Sequence, residues 1–234
     1  MITDDLMAEI LAHALAESPR ECCGLIVNNT YIPCKNLAES PFENFILCPQ
    51  DFAEAEDAGE VQTIVHSHPF ANPAPSQADL VGLEASQLPW LIVNPQTGSH
   101  TLTHPTGYRA PLLGREFSYG VLDCYALGRD WYAERGIELP DFERSSFGWW
   151  DRGENLFLDG FRAAGFEKIA LEDLRYGDAI LMQITGSVPN HCAVYLGDNL
   201  ILHHLTKRLS AQDVYGGYYL KHTSHALRHK DMKR

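Results

Sequence analysis

One stretch of this chain constrains how everything on either side of it can fold. From Thr103 to Gly114 it reads Thr-His-Pro-Thr-Gly-Tyr-Arg-Ala-Pro-Leu-Leu-Gly, with a proline and a glycine on each side of Tyr108-Arg109. Breakers this dense interrupt helix and strand alike. The charge changes at the same place. Residues 1–110 contain 14 Asp and Glu against 3 Lys and Arg, whereas residues 111–234 contain 17 against 15. The sequence therefore predicts two domains of ordinary size. They are residues 1–107 and 114–215, with a linker at 108–113 and a basic, His-rich tail at 216–234 that is expected to be disordered or to dock on a partner.

At 45% hydrophobic residues, the 234-residue chain can bury a core in each half. Its net charge of −13 argues against a protein that coats nucleic acid, because neutralising phosphates needs clustered cations. No apolar run approaches the roughly eighteen residues of a membrane span. The first residues, Met-Ile-Thr-Asp-Asp, carry acids where a secretory signal would carry Lys or Arg, so cytoplasmic synthesis is expected. The six cysteines form no Cys-x-x-Cys pair, which makes reduced thiols the expectation and leaves any one of them available as a nucleophile.

In the first half, Thr3 is placed to cap a helix whose apolar face combines Leu6, Ile10 and Ala14 with Met7, Leu11 and Leu15, ending at Ser18-Pro19. Strands are expected at 24–27 and 31–33 around an Asn28-Asn29-Thr30 turn, then at 61–66, 90–93 and 100–103, with helices at 51–59 and 76–87. His66-Ser67-His68 closes the 61–66 strand. Residues i and i+2 of an extended chain share a face, so both imidazoles can reach one ion. Ser76 and Asp79 would lie on one turn of the next helix, brought back by a loop stiffened by Pro69, Pro73 and Pro75. Two histidines and a carboxylate make a three-ligand zinc site with a fourth position for water.

The spacing His66-x-His68-x7-Ser76-x2-Asp79 resembles the signature of the JAMM (MPN-plus) metalloproteases. Glu21, in Pro19-Arg-Glu-Cys-Cys-Gly-Leu-Ile-Val, resembles the upstream glutamate of that family. The resemblance implies a mixed α/β domain with a central sheet, in which His66, His68 and Asp79 hold Zn2+. It also implies that Glu21 acts as general base and that Ser76 donates to the tetrahedral oxyanion, with a peptide or isopeptide bond as substrate.

In the second half, helices are expected at 124–135 and 154–164, followed by strands at 178–184, 192–196 and 200–205. Helices before strands is an α+β order. Asp123-Cys124 heads the first helix, where backbone N–H groups favour a thiolate. His191 opens a strand, and His203, twelve residues on, lies in the next. Adjacent antiparallel strands can align the two rings as base and orienter. His204 adjoins His203, but alternation with Ile201 and Leu205 favours His203. Cys192 is read as core packing, and Tyr119 as an aromatic lining the site.

Residues 114–206 resemble the NlpC-type cysteine peptidases, cell-wall endopeptidases of papain-like fold. The resemblance rests on Asp123-Cys124, on Gly177-Asp178 before a core strand, and on His191-Cys-Ala-Val-Tyr-Leu-Gly. It implies that Cys124 is the nucleophile, His191 the base and His203 the orienting residue.

A JAMM-like domain followed by an NlpC-type domain is similar to the tail tip assembly protein K family of long-tailed phages. That resemblance implies tail-tip proteins as partners and residence in the host cytoplasm during assembly, with the virion tail tip as a second location. The expected activities are peptidoglycan peptide cleavage in the second half and cleavage of a tail or partner protein in the first. The alternative is a partner-binding assembly module with one or both centres idle.

Overall fold

The computed structural model describes residues 2–144 and 148–232. It divides into two compact units, Met1–Arg109 and Ala110–Arg234, each mixing helices with one sheet.

The first unit opens with α1 (Asp4–Glu17), where the Thr3 hydroxyl accepts a hydrogen bond from the Leu6 amide at 3.3 Å and so satisfies one of the orphan donors of a helix start. Strands β1 (Cys23–Val27) and β2 (Thr30–Cys34) form a hairpin closed by Asn28 and Asn29, with φ of 48° and 63°. Both angles are left-handed, as a two-residue type I′ turn requires. Then come α2 (Pro49–Ala58), β3 (Val61–Ser67), α3 (Gln77–Ser86), β4 (Trp90–Val93) and β5 (His100–Thr103).

The sheet order is β2-β1-β3-β4-β5. Only the β3–β4 pair is parallel, and α3 makes its crossover. Strand alternation splits the core into two faces. Leu6, Ile10 and Ala14 of α1 pack with Ile26, Val65 and Leu91 on one face, while Leu15 lies outside at 57% exposure. On the other face Cys23, Leu25 and Ile64 meet Ala55 of α2 and Leu83 of α3. Because Ile64 faces α2 and α3, His66 does too. Gly24 is required where it stands, since a Cβ there would come within 2.5 Å of the Tyr31 hydroxyl and 2.7 Å of the Ile32 carbonyl.

The second unit contains α4 (Cys124–Ala133), α5 (Leu156–Gly160), β6 (Phe166–Ile169), β7 (Ala179–Met182), β8 (His191–Gly197), β9 (Leu200–His203), β10 (Ala211–Val214), α6 (Gly217–His222) and β11 (Thr223–His229). Its sheet runs β10-β9-β8-β7-β11-β6, antiparallel throughout. Leu127, Trp131 and Tyr132 of α4 pack on Leu181, Val194, Leu202 and Leu227 of the sheet. The opposite sheet face buries Ile180, Met182, Ala193 and Ile201 against Tyr215.

The segment expected to be a tail is the main correction. Residues 217–229 form α6 and β11, and β11 lies inside the sheet between β7 and β6, so the domain does not end at residue 215. Lys233 and Arg234 of that segment fall outside the described residues. The basic character misled because Arg228 serves the interior. Its Nε and Nη2 donate to the two carboxylate oxygens of Asp178 at 2.8 and 2.7 Å, and Asp178 is 1% exposed. The helix expected at 154–164 is shorter, and β6 and β10 were not anticipated.

Removing the cation would leave a buried carboxylate without its partner. Arg228→Ala is expected to lower the unfolding free energy of the second unit by about 3 kcal/mol, measured by urea denaturation followed by tryptophan fluorescence.

Candidate functional site

Both units place reactive side chains at the amino end of a helix. In the first, β3 delivers His66 and, just beyond its end, His68. The proline-rich loop then leads into α3, with Ser76 as N-cap. The Ser76 hydroxyl accepts from the Asp79 amide at 3.1 Å, and the Asp79 carboxylate accepts from the Ser76 amide at 2.7 Å. This reciprocal capping box fixes the Asp79 side chain by backbone bonds.

The same carboxylate faces both histidines. The His66 and His68 Nε2 atoms are 3.2 Å apart, and each lies 3.4 Å from an Asp79 oxygen. A tetrahedral ion with bonds near 2.05 Å would separate its ligands by about 3.3 Å. The donor set and spacing therefore fit a divalent ion, and these three are the group of potential ligands found among the described residues.

Other contacts hold the rings. His68 Nδ1 donates to the Asn72 carbonyl at 3.0 Å, which leaves Nε2 bare as a ligand must be. The Asn72 loop is tied down by Asn94, whose amide donates to Ala71 at 2.7 Å. His66 is fully buried, stacked on Phe45 at 4.5 Å and edge-on to Trp90 at 5.4 Å. Its Nδ1 has no hydrogen-bond partner, so packing orients this ring.

Burial would raise the Asp79 carboxyl, but hydrogen bonds from His66, His68 and the Ser76 amide outweigh it and hold the group far below the usual carboxylate range. Burial pushes the Glu21 carboxyl up to about 7, with His68 opposing and Asp79 assisting. Glu21 sits between α1 and β1, anchored by its amide on the Pro41 carbonyl and its carbonyl on the Asn36 amide. It lines a cleft of about 740 Å³ with Glu17, Arg20, Lys35, Asp51 and Glu54.

In the second unit Asp123 is the N-cap of α4, accepting from the Ala126 amide at 2.9 Å. Arg144 grips the same carboxylate through Nε at 2.7 Å and Nη2 at 3.2 Å. Cys124 follows at the first helical position. His191 opens β8, and its Nε2 meets His203 Nδ1 at 3.0 Å. His203 Nε2 in turn meets Asp213 Oδ2 at 3.0 Å.

His204 does not join them. Its Nε2 contacts the Arg208 carbonyl at 3.2 Å and its ring lies edge-on to Phe117. Burial and the His191 charge push His203 down to about 4, so it is neutral at pH 7.

The Cys124 thiol is held well below its ordinary value. A hydrogen bond from Cys192 contributes most, burial opposes, and His191 adds a hydrogen bond and its charge. Cys192 packs in the α4-side core as expected, and its thiol also reaches the candidate nucleophile. Tyr119, packed on the same cluster, has its phenol raised by burial and then by the Cys124 charge.

Sequence reasoning missed Asp213, Arg144 and Tyr219. Asp213 sits in β10, whose Ala-Gln-Asp-Val run has no apolar alternation, and Arg144 lies in a segment without periodicity. A β9–β10 hairpin would have been the signal for Asp213.

Comparison with known proteins agrees with this organisation. Residues 3–106 match the family model for prokaryotic homologs of the JAB domain, and residues 114–228 match that of the NlpC/P60 family, which takes in all but the last residue of β11. The chain is 39% identical over 231 residues to tail tip assembly protein K of Escherichia phage N15, covering 96% of this chain and 94% of that one. It is 40% identical over 184 residues to tail tip assembly protein K of Escherichia phage lambda, covering 79% and 89%.

The chain belongs to the tail tip assembly protein K family. Its two family models fall on the two structural units, so this member of the K family carries one candidate centre in each.

A depressed pKa keeps the thiolate populated as pH falls below the ordinary thiol range, whereas burial raises Cys22, Cys23 and Cys34 and locks them as thiols. At pH 6 iodoacetamide is therefore expected to label Cys124 at least about tenfold faster than Cys22, Cys23, Cys34 or Cys192, read by peptide mass spectrometry.

Proposed function

We propose that this protein is a tail tip assembly factor with two peptidase centres, made in the host cytoplasm and working with other tail tip proteins. The second unit cleaves a peptide bond in peptidoglycan, and the first is a zinc-dependent peptidase or isopeptidase acting on a tail or partner protein. The observation that carries the reading is Cys124 at the first position of α4 together with His191 and His203, whose rings meet at 3.0 Å across two adjacent strands.

In the thiol centre His191 takes the Cys124 proton, and the sulfur attacks the substrate carbonyl. The proton then passes from His191 to the leaving amine as the C–N bond breaks. Water, deprotonated by His191, displaces the sulfur from the acyl-enzyme and restores the thiol. The amino end of α4 favours both the thiolate and the oxyanion, because its first N–H groups lack helical partners.

In the metal centre His66, His68 and Asp79 would hold the ion. Zinc there would supply a Lewis acid and lower the pKa of bound water. Glu21, buried and anchored on both its peptide groups, is the residue available to take a proton and hand it to a leaving amine. Ser76 accepts from Asp79 and keeps its own O–H to donate to a substrate oxygen.

Purified sacculi digested with the protein should release soluble muropeptides. Cys124→Ala should slow release at least about a thousandfold, and a chelator should leave it unchanged. Intact sacculi with a folded wild type would overturn the wall-peptidase reading. The wild type should retain about one zinc per chain after dialysis, and His66→Ala or Asp79→Asn should lose it, measured by elemental analysis. Retention by both variants would remove the metal-centre assignment.

A further inference from the structure

Asp213 makes contacts that a surface carboxylate does not need. Its Oδ2 accepts from three donors: His203 Nε2 at 3.0 Å, Tyr219 Oη at 2.6 Å and Arg208 Nη1 at 3.2 Å. Tyr219 also lays its ring edge-on to His203, with centroids 4.8 Å apart. Asp213 comes from β10 and Tyr219 from α6, both beyond the strands that carry His191 and His203. His203, in contrast, is 2% exposed and lies between His191 and Asp213, hydrogen-bonded to each at 3.0 Å.

We propose that Asp213 is a positioning residue of the thiol centre, a fourth member that sets the direction of every proton between itself and Cys124. This deepens the thiol-peptidase reading and rests on it.

An ionised carboxylate can only accept, so the proton between Asp213 and His203 belongs to His203 Nε2. A neutral imidazole with Nε2 protonated has a bare Nδ1, which must accept at 3.0 Å from His191 Nε2. With Nε2 of His191 committed as donor, its Nδ1 is the basic nitrogen left for Cys124. When His191 then accepts the thiol proton, the imidazolium keeps its Nε2–H on His203, and no ring has to turn.

Two features keep Asp213 ionised and oriented. Tyr219 donates most strongly, burial opposes, and His203 and Arg208 add to Tyr219, bringing the carboxyl down to about 2. Arg208 can never act as an acceptor, so the oxygen it shares with His203 must remain one. The charged and titratable groups facing the relay are Cys192 from β8, Tyr119 ahead of α4, Asp123 at the start of α4 with Arg144 bound to it, Arg208 from the β9–β10 connection and Tyr219 from α6.

The test uses the full chain and needs no substrate. Long-range 1H–15N spectra report which ring nitrogens of His191 and His203 carry protons, and iodoacetamide alkylation against pH reports the Cys124 thiolate. In wild type, His203 should appear as the Nε2–H tautomer. Asp213→Ala should abolish that preference and reduce Cys124 alkylation at neutral pH on the order of tenfold or more. Asp213→Asn keeps an acceptor oxygen without its charge and should retain the tautomer with an intermediate alkylation rate.

Tyr219→Phe removes one donor to Asp213 and should shift the alkylation profile in the same direction, less far. A merely structural role would lower stability and leave both spectra and profile in place. Folded Asp213→Ala with wild-type nitrogen signals and alkylation would overturn the proposal. Should that variant not fold, unchanged profiles in both Asp213→Asn and Tyr219→Phe would do the same. Failure of the wild type to digest sacculi would remove the wall reading alone, because neither readout here involves a wall.

Discussion

The first turn of a helix has N–H groups with nowhere to go inside the helix, and both halves of this protein use that need to hold their chemistry in place. Asp79 satisfies the start of α3 through Oδ2, and the same oxygen faces His68 while Oδ1 faces His66. Asp123 satisfies the start of α4 and leaves Cys124 at the first helical position. In each case a backbone hydrogen bond, which cannot slip without unwinding the helix, replaces side-chain flexibility with fixed geometry. The two carboxylates differ in what they do next: Asp79 is itself a potential ligand, whereas Asp123 is neutralised by Arg144 and only supports the residue beside it.

The sheets provide the second coordinate. A strand fixes the face of every side chain it carries, so His66 must look toward α3 once Ile64 does. In the second unit, the β8–β9 register that pairs Ala193 with His203 brings His203 within reach of His191. The connection is tight, with Asp198 and Asn199 at φ of 47° and 55°, and a slip of one residue would turn His203 away. Histidine spacing along the chain thus becomes ring spacing in the site through one hairpin.

The parts of this arrangement legible in the sequence are those that repeat a local rule. The strand at 90–93, the His-x-His pair, the helix opening at Ser76 and the Asp-Cys helix start each depend on neighbours within a few residues. What was not legible depends on distant partners. Strand β11 was hidden because its cationic residue reads as solvent-facing until Asp178, fifty positions earlier, is seen to bind it. Asp213 was hidden because an edge strand such as β10 can carry polar residues without any apolar rhythm. The nearness of Cys192 to Cys124 likewise needs α4 packed on the sheet before it exists at all.

The place of β11 has a consequence for the order of events during synthesis. Strands β7 and β6 are both made before it, yet neither can complete its pairing until residues 223–229 have left the ribosome and inserted between them. All five strands of the first sheet lie within Met1–Arg109, so that sheet is complete in sequence while the rest is still being made. The thiol unit, by contrast, closes through contacts of long sequence separation, which form slowly. A nascent chain therefore carries the whole first unit while the sheet of the second still lacks β11. Cys124, His191, His203 and Asp213 are thus all synthesised before the sheet that holds three of them can close.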